Sequence, residues 1–317
     1  MRNTAPCRAA PERSIPVKKA FSVLILVFLL VSLIACGGGK KPSEAYLGLG
    51  HVATLSAEEA DASGCAELTV AAAVVDGESG ALIDCAIDLY SLFFAVNELG
   101  RIDVAPTFIS SAVTESAEYA ASVEALAASL VGKSAAELPA LAEAEEDPLL
   151  ADAILAVERA MKSASSPCKR TDAASVALVG KNPSAVPADF YTDTNGSVSA
   201  DVYFAAASID AENKIGGAAI DTVTLSFSFN ASGHLDKPST PMTKRELGYG
   251  YNMKPFSPIG LEWFEQVEYF CDYLRGKTAS ELEAVRWVQS NPDLVSGCTI
   301  YAGDLFSAAI AVASAGN

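Results

Sequence analysis

Histidine is the scarcest chemistry-bearing residue of this sequence, with only His51 and His234 among 317 residues. The two stand far apart, and no CxxC pair or Cys/His spacing accompanies either, which disfavours a zinc site. Neither has flanking residues that would set it against a nucleophile, so a Ser-His-Asp centre is also excluded. Positive charge is in short supply as well: 22 Lys and Arg face 39 Asp and Glu, for a net charge of -17. An acidic surface of this kind repels nucleic acid and anionic headgroups, which excludes a nucleic-acid partner. No apolar run reaches the roughly 20 residues that a membrane-spanning helix needs. Phosphate-binding loops are incomplete. Gly276-Lys277-Thr278 and Gly132-Lys133-Ser134 lack the earlier glycine, having Cys271 and Ala127 there, and Gly48-Leu49-Gly50 is a fragment that reads as the opening of a strand.

At the N-terminus, Arg2, Arg8, Arg13, Lys18 and Lys19 lead into a 16-residue apolar stretch, Ala20 to Ala35, that ends in Leu33-Ile34-Ala35-Cys36. This order resembles the signal peptide and lipobox of bacterial lipoproteins. It implies cleavage before Cys36, lipidation of that cysteine, and anchoring through lipid on the outer face of a bacterial membrane. Residues 1–35 are then the signal peptide and 36–45, opening Gly37-Gly38-Gly39, a loose tether. Cleavage removes five basic side chains and Glu12, moving the net charge from -17 to -21. Half of the chain is apolar, enough for a real core, and about 280 remaining residues suggest two domains.

Cys65, Cys85, Cys168, Cys271 and Cys298 remain beside Cys36 in the mature chain. An odd number without close pairs points to small buried thiols for most of them, with one or two disulfides as the competing arrangement in an exported protein.

An internal repeat organises the rest. Laid without gaps, Glu118 to Leu138 and Glu262 to Leu282 are identical at nine of 21 positions, among them Gly132/Gly276, Lys133/Lys277 and Glu137/Glu281. Upstream, Ala71-Ala72-Ala73 with Asp76 matches Ala205-Ala206-Ala207 with Asp210, and Asn97 to Gly100 matches Asn230 to Gly233. Two tandem copies of one α+β domain follow, each a β-meander and then helices. The expected bounds are 46–162 for a first, reduced copy, 163–182 for a Ser-, Ala-, Lys- and Pro-containing linker, and 183–317 for the second. The apolar faces of Tyr119 to Leu130 and Trp263 to Leu274 predict sheet-packed helices. Gly132 and Gly276 suit helix stops, and Ser134 to Glu137 and Thr278 to Glu281 read as capping boxes for the next helices. The acids Glu143, Glu145, Glu146 and Asp147 read as a solvated linker, and His234 as a solvated turn residue.

One segment carries chemistry. Asp293-Leu294-Val295-Ser296-Gly297-Cys298-Thr299 resembles the D-x-x-S/T-G-A-T motif of FMN-binding domains in exported electron-transfer proteins, with Cys298 in place of alanine. Thr243 to Gly248, Tyr251 to Lys254 and Gly260 to Gln266 resemble a block of FMN-binding-related lipoproteins, the likeness covering most of 190–317. The resemblance implies FMN joined through its phosphate to the Thr299 hydroxyl by a flavin transferase, with Asp293, Ser296 and Gly297 completing the site and a redox partner outside the cytoplasm. Small residues at 296 and 297 would let backbone N–H groups approach the phosphate, a helix starting near Asp304 would add its positive end, and Tyr301 or Trp263 would cover the ring. The first copy lacks about ten residues that would hold the motif, and it also lacks the Met253 to Pro258 block, as befits a structural copy. The alternative is a non-catalytic surface or binding lipoprotein in which 296–299 is only a loop. A solute-binding protein of a transporter would instead show two α/β lobes.

Overall fold

The computed structural model describes residues 44–58, 62–110, 117–285, 292–300 and 302–315. Cys36, the expected signal peptide and nearly all of the tether lie outside them. Residues 43–317 form one compact unit. It is an α+β fold of two antiparallel sheets and eight helices among the described residues.

The first sheet holds β1 (Ala45–Glu58), β2 (Ser63–Asp76), β3 (Leu82–Val96), β4 (Ile102–Ser110) and β5 (Ser166–Cys168), in the order β4-β3-β2-β1-β5. The second holds β6 (Ala173–Val186), β7 (Gly196–Ile209) and β8 (Ile215–Phe229), in sequence order. Helices α1 (Ala117–Leu130), α2 (Leu138–Ala144) and α3 (Pro148–Ser163) follow the first meander. After the second come α4 (Lys244–Leu247), α5 (Trp263–Leu274), α6 (Ala279–Val285), α7 (Pro292–Val295) and α8 (Gly303–Ala315).

The layers follow from the two-residue period of the strands. On β2, Leu68, Val70, Ala72 and Val74 enter a core with Val202 and Phe204 of β7 and Val223 and Leu225 of β8. The opposite set, Ala71, Ala73 and Val75, packs on α3 and α2. Both faces of β2 are thus covered, which is why its sequence runs apolar with little alternation. In the second sheet Ala205, Ala207 and Ile220 turn away from the shared core onto α5 and α8. The order of layers is helix, sheet, sheet, helix. Phe94 and Phe227 meet edge-to-face across the two sheets at 4.9 Å between centroids.

Two of the expected boundaries are corrected. Residues 163–182, read as a linker, contain β5 and the first half of β6; Val176 and Leu178 on β6 are core residues, so this apolar alternation outweighs the polar composition around it. The two halves also do not close separate cores, because the central cluster draws on both sheets. Strand β4 was not anticipated.

Local details recur in the halves. Leu82 donates its N–H to the Lys133 carbonyl at 2.9 Å while Gly132 donates to Leu82 at 2.8 Å; Ile215 donates to Lys277 at 3.0 Å while Gly276 donates to Ile215 at 2.7 Å. Gly132 and Gly276 have φ of +83° and +73°, as a helix stop requires. Thr278 and Glu281 cap α6 reciprocally. Glu137 instead accepts from both the N–H and the hydroxyl of Ser134 and α2 begins one residue after it, so that box closes a turn rather than opening a helix. Asp147 caps α3 by accepting the Leu149 N–H at 2.8 Å.

Helix α3 lies on β1 at backbone contact. A Cβ on Gly48 would sit 1.9 Å from the Ala160 carbonyl oxygen, and one on Gly50 2.1 Å from that of Ala156. Gly50→Ala should therefore push α3 off the sheet, costing about 1–3 kcal/mol of unfolding free energy or more. Urea denaturation would detect it as a lowered midpoint at unchanged slope.

Candidate functional site

The segment with the FMN-binding likeness sits against α5, and two capping boxes build its surroundings. Thr243 and Glu246 form a capping box on α4. Glu262 and Glu265 form another on α5. The buried Glu262 carboxylate also accepts the N–H groups of Met253 at 2.9 Å and Lys254 at 3.0 Å, which ties the Met253 block to the start of α5. Asp221 on β8 is buried and accepts the Arg245 N–H at 3.2 Å and the Thr222 N–H at 2.8 Å. Burial outweighs these bonds and pushes its carboxyl up to about 6.

Gln266 organises the loop itself. It lies on the apolar face of α5, fully buried. Its amide nitrogen donates to Ser257 Oγ at 3.1 Å and to the Leu261 carbonyl at 3.2 Å. Its Oε1 accepts from Thr299 N at 2.8 Å, Thr299 Oγ1 at 3.2 Å and Ile300 N at 3.2 Å. One turn later on the same helix, the Tyr269 hydroxyl donates to the Asp293 carbonyl at 2.9 Å and lies 2.9 Å from Ser296 Oγ. Gly297 lies over the Tyr269 ring, where an added Cβ would be 2.3 Å from ring atoms. Gly297 N and Cys298 N both donate to the Leu294 carbonyl, at 3.0 and 2.7 Å.

Asp293, Ser296, Gly297 and Thr299 are thus brought together on one loop, held by Gln266 and Tyr269. The expected phosphate cradle is absent from it as folded. All four successive N–H groups from 297 to 300 are spent on Leu294 and Gln266, the Thr299 hydroxyl is engaged, and the tyrosine ring covers Gly297. Among the described residues the loop as folded does not fit an FMN phosphate on Thr299, because a phosphoester there would find none of the N–H groups from 297 to 300 free. Cys298, standing where the motif has alanine, is buried in the core of the second half with its thiol pushed up to about 11 by burial. It serves as a small apolar side chain. Cys85 and Cys271, pushed up to about 12, and Cys168, pushed up to about 11, are likewise buried thiols and poor nucleophiles.

Beside the loop lies a cavity of about 220 Å³ lined by Tyr203, Lys244, Tyr251, Met253, Trp263, Ile300 and Leu305. Lys244 Nζ stands 5.0 Å from the Tyr251 ring centroid and 5.3 Å from that of Trp263. Of the two residues expected to cover a ring, Trp263 is here and Tyr301 lies outside the described residues. Helix α8 starts at Gly303, as anticipated near Asp304, whose carboxylate pairs with Lys181 at 2.7 Å.

The histidines separate. His234 is exposed in the turn after β8. His51 packs against Phe204 and lies 3.7 Å from Glu246, its pKa lowered chiefly by burial. Among the described residues no group of His, Cys, Asp and Glu could hold a metal. Gly276-Lys277-Thr278 is a helix stop and cap, with Lys277 over the Tyr273 ring at 4.2 Å. Gln266 and Lys244 were missed in the sequence. The available signal was a glutamine on an otherwise apolar helical face, at a position that aligns with Ser122 when 118–138 is laid on 262–282.

Comparison with protein-family models, with characterised proteins and with solved structures finds no match to this chain.

Replacing Gln266 by Leu should leave two amides and a hydroxyl without their acceptor, lowering stability by about 2–4 kcal/mol; hydrogen exchange at Thr299 and Ile300 should accelerate in the same variant. A second expectation concerns pH. The Asp221 carboxyl titrates near 6 in the fold and near 3.9 in the unfolded chain, so the folded state holds the extra proton between these values. Stability attributable to this group is complete below about pH 4 and falls as pH rises through 6. Asp221→Asn should raise the unfolding free energy by on the order of 1–2 kcal/mol at pH 8 and change it little at pH 4, read from denaturant curves.

Proposed function

We propose that this protein is an exported lipoprotein, cut before Cys36 and held by lipid on the outer face of a bacterial membrane, that acts there as a binding protein without a covalent cofactor. The lipobox and the basic start before it support the anchoring. The acidic mature surface supports a role away from nucleic acid, leaving the lipid on Cys36 as the attachment to the membrane.

The engagement of 297–300 carries the choice of a binding role over a redox one. A loop whose amides and hydroxyl are satisfied by Leu294 and Gln266 is a closed structural element, while the cavity next to it has space and unpaired donors. We also read the fold as a tandem duplication. The matched pairings of Leu82 with Gly132 and Lys133, and of Ile215 with Gly276 and Lys277, support this. Under it the second half keeps the loop and the aromatic block, and the first half, without them, serves to cover the other side of the shared core.

The competing reading is an electron-transfer lipoprotein with FMN on Thr299, served by a flavin transferase and a redox partner. The D-x-x-S-G-C-T segment and the placement of Trp263 beside Ile300 favour it, but it requires the loop to leave Gln266. A single measurement separates the two: the intact mass of the mature chain produced in a bacterium with an active exported flavin transferase. The expected mass carries lipid on the N-terminal cysteine, lost in Cys36→Ser, and no flavin. A flavin adduct that disappears in Thr299→Ala would replace the binding role with the redox one.

A further inference from the structure

The cavity beside the loop contains two hydrogen-bond donors without partners among the described residues. Lys244 is half-buried at its wall and its ammonium touches only the Tyr251 and Trp263 rings. Tyr203, whose hydroxyl is the second donor, lines the same space. It stays protonated through the physiological range, since burial and the nearby Asp304 and Asp201 push it up to about 12. Both of those carboxylates are already engaged, Asp304 by Lys181 at 2.7 Å and Asp201 by the Thr224 hydroxyl at 2.6 Å.

We infer that this cavity binds a small aromatic carboxylate, its ring among Tyr251, Trp263, Met253 and Leu305 and its carboxylate on Lys244 Nζ and Tyr203 Oη. Size and charge select that class. At about 220 Å³ the space falls below the roughly 300 Å³ of drug-sized sites, which limits the occupant to about one ring. Aromatic walls attract cations in general, but Lys244 already fills that role, and a second cation would meet its charge at close range. One ammonium and one phenol match the two oxygens of a carboxylate. The first half lacks the Met253 to Pro258 block that supplies Met253 to the cavity, so one site per chain follows.

This inference rests on the binding-protein reading and is tested separately from it. The mature chain in phosphatidylcholine vesicles, shown by mass to carry no flavin, is dialysed to equilibrium against radiolabelled phenylacetate, 2-phenylethanol or phenethylamine, with empty vesicles as the blank. Phenylacetate should bind at one site per chain and at least about tenfold more tightly than either analogue, with Lys244→Met removing that preference and Tyr203→Phe reducing it. No saturable phenylacetate binding, tighter binding of the amine or alcohol, or an unchanged preference in Lys244→Met would each overturn the assignment of ligand. A flavin adduct on the native chain would instead overturn the binding role itself.

Discussion

The apolar contact between the two sheets is the constraint on which the rest of this fold depends. Leu68, Val70, Ala72 and Val74 on one side and Val202, Phe204, Val223 and Leu225 on the other take each meander's inner face out of water at once. Neither sheet could do so alone, because an antiparallel sheet with helices on one face still exposes the other. Once the inner faces are joined, the outer faces must be covered by helices, and short side chains on those faces set how closely the helices come. Ala71 and Ala73 with Gly48 and Gly50 let α3 approach to backbone contact. In the second half Ser175 on β6 donates to the Val312 carbonyl of α8 at 2.7 Å, a side-chain bond where Gly48 offers only space.

Position on this scaffold explains why the loop of residues 293–300 and the cavity are neighbours. Helix α5 is fixed on the second sheet through Val267, Phe270 and Leu274, so Gln266 on the same face points inward with no water available. A buried amide must find partners within the protein, and it does so on both sides, holding Ser257 and Leu261 with its nitrogen and Thr299 and Ile300 with its oxygen. The same helix carries Trp263 one turn earlier, at the wall of the cavity. The segment from Asp293 to Thr299 is thus part of the packing of one helix. Helix α1, with Ser122 at the position that aligns with Gln266, has no such loop to hold.

The strand and helix pattern, the α+β class and the glycine helix stops were legible in the sequence. They depend on neighbours within a few residues: the two-residue period of Leu68 to Val75 and the 3.6-residue period of Trp263 to Leu274. The capping box of Thr278 and Glu281 was readable for the same reason. The matched one at Ser134 and Glu137 was not, because whether a cap opens a helix or closes a turn depends on what the next residues pack against.

Tertiary structure alone decided that 166–168 and 173–182 are strand rather than linker, since only a facing sheet gives Val176 and Leu178 a place to bury. It decided likewise that the halves share a core, for the two-residue period marks a strand's buried faces without saying which sheet will cover them. The candidate site was settled at the same level. Nothing in Asp293-Leu294-Val295-Ser296-Gly297-Cys298-Thr299 tells that its amides are already taken, because the acceptor is a side chain 33 residues away from Thr299. Likewise Lys244, Tyr203 and Trp263, from a short helix, a strand and another helix, meet only when the second sheet and its helices are in place. The sequence by itself determined which local elements form, through short-range periodicity and steric need; contacts distant along the chain decided what those elements enclose.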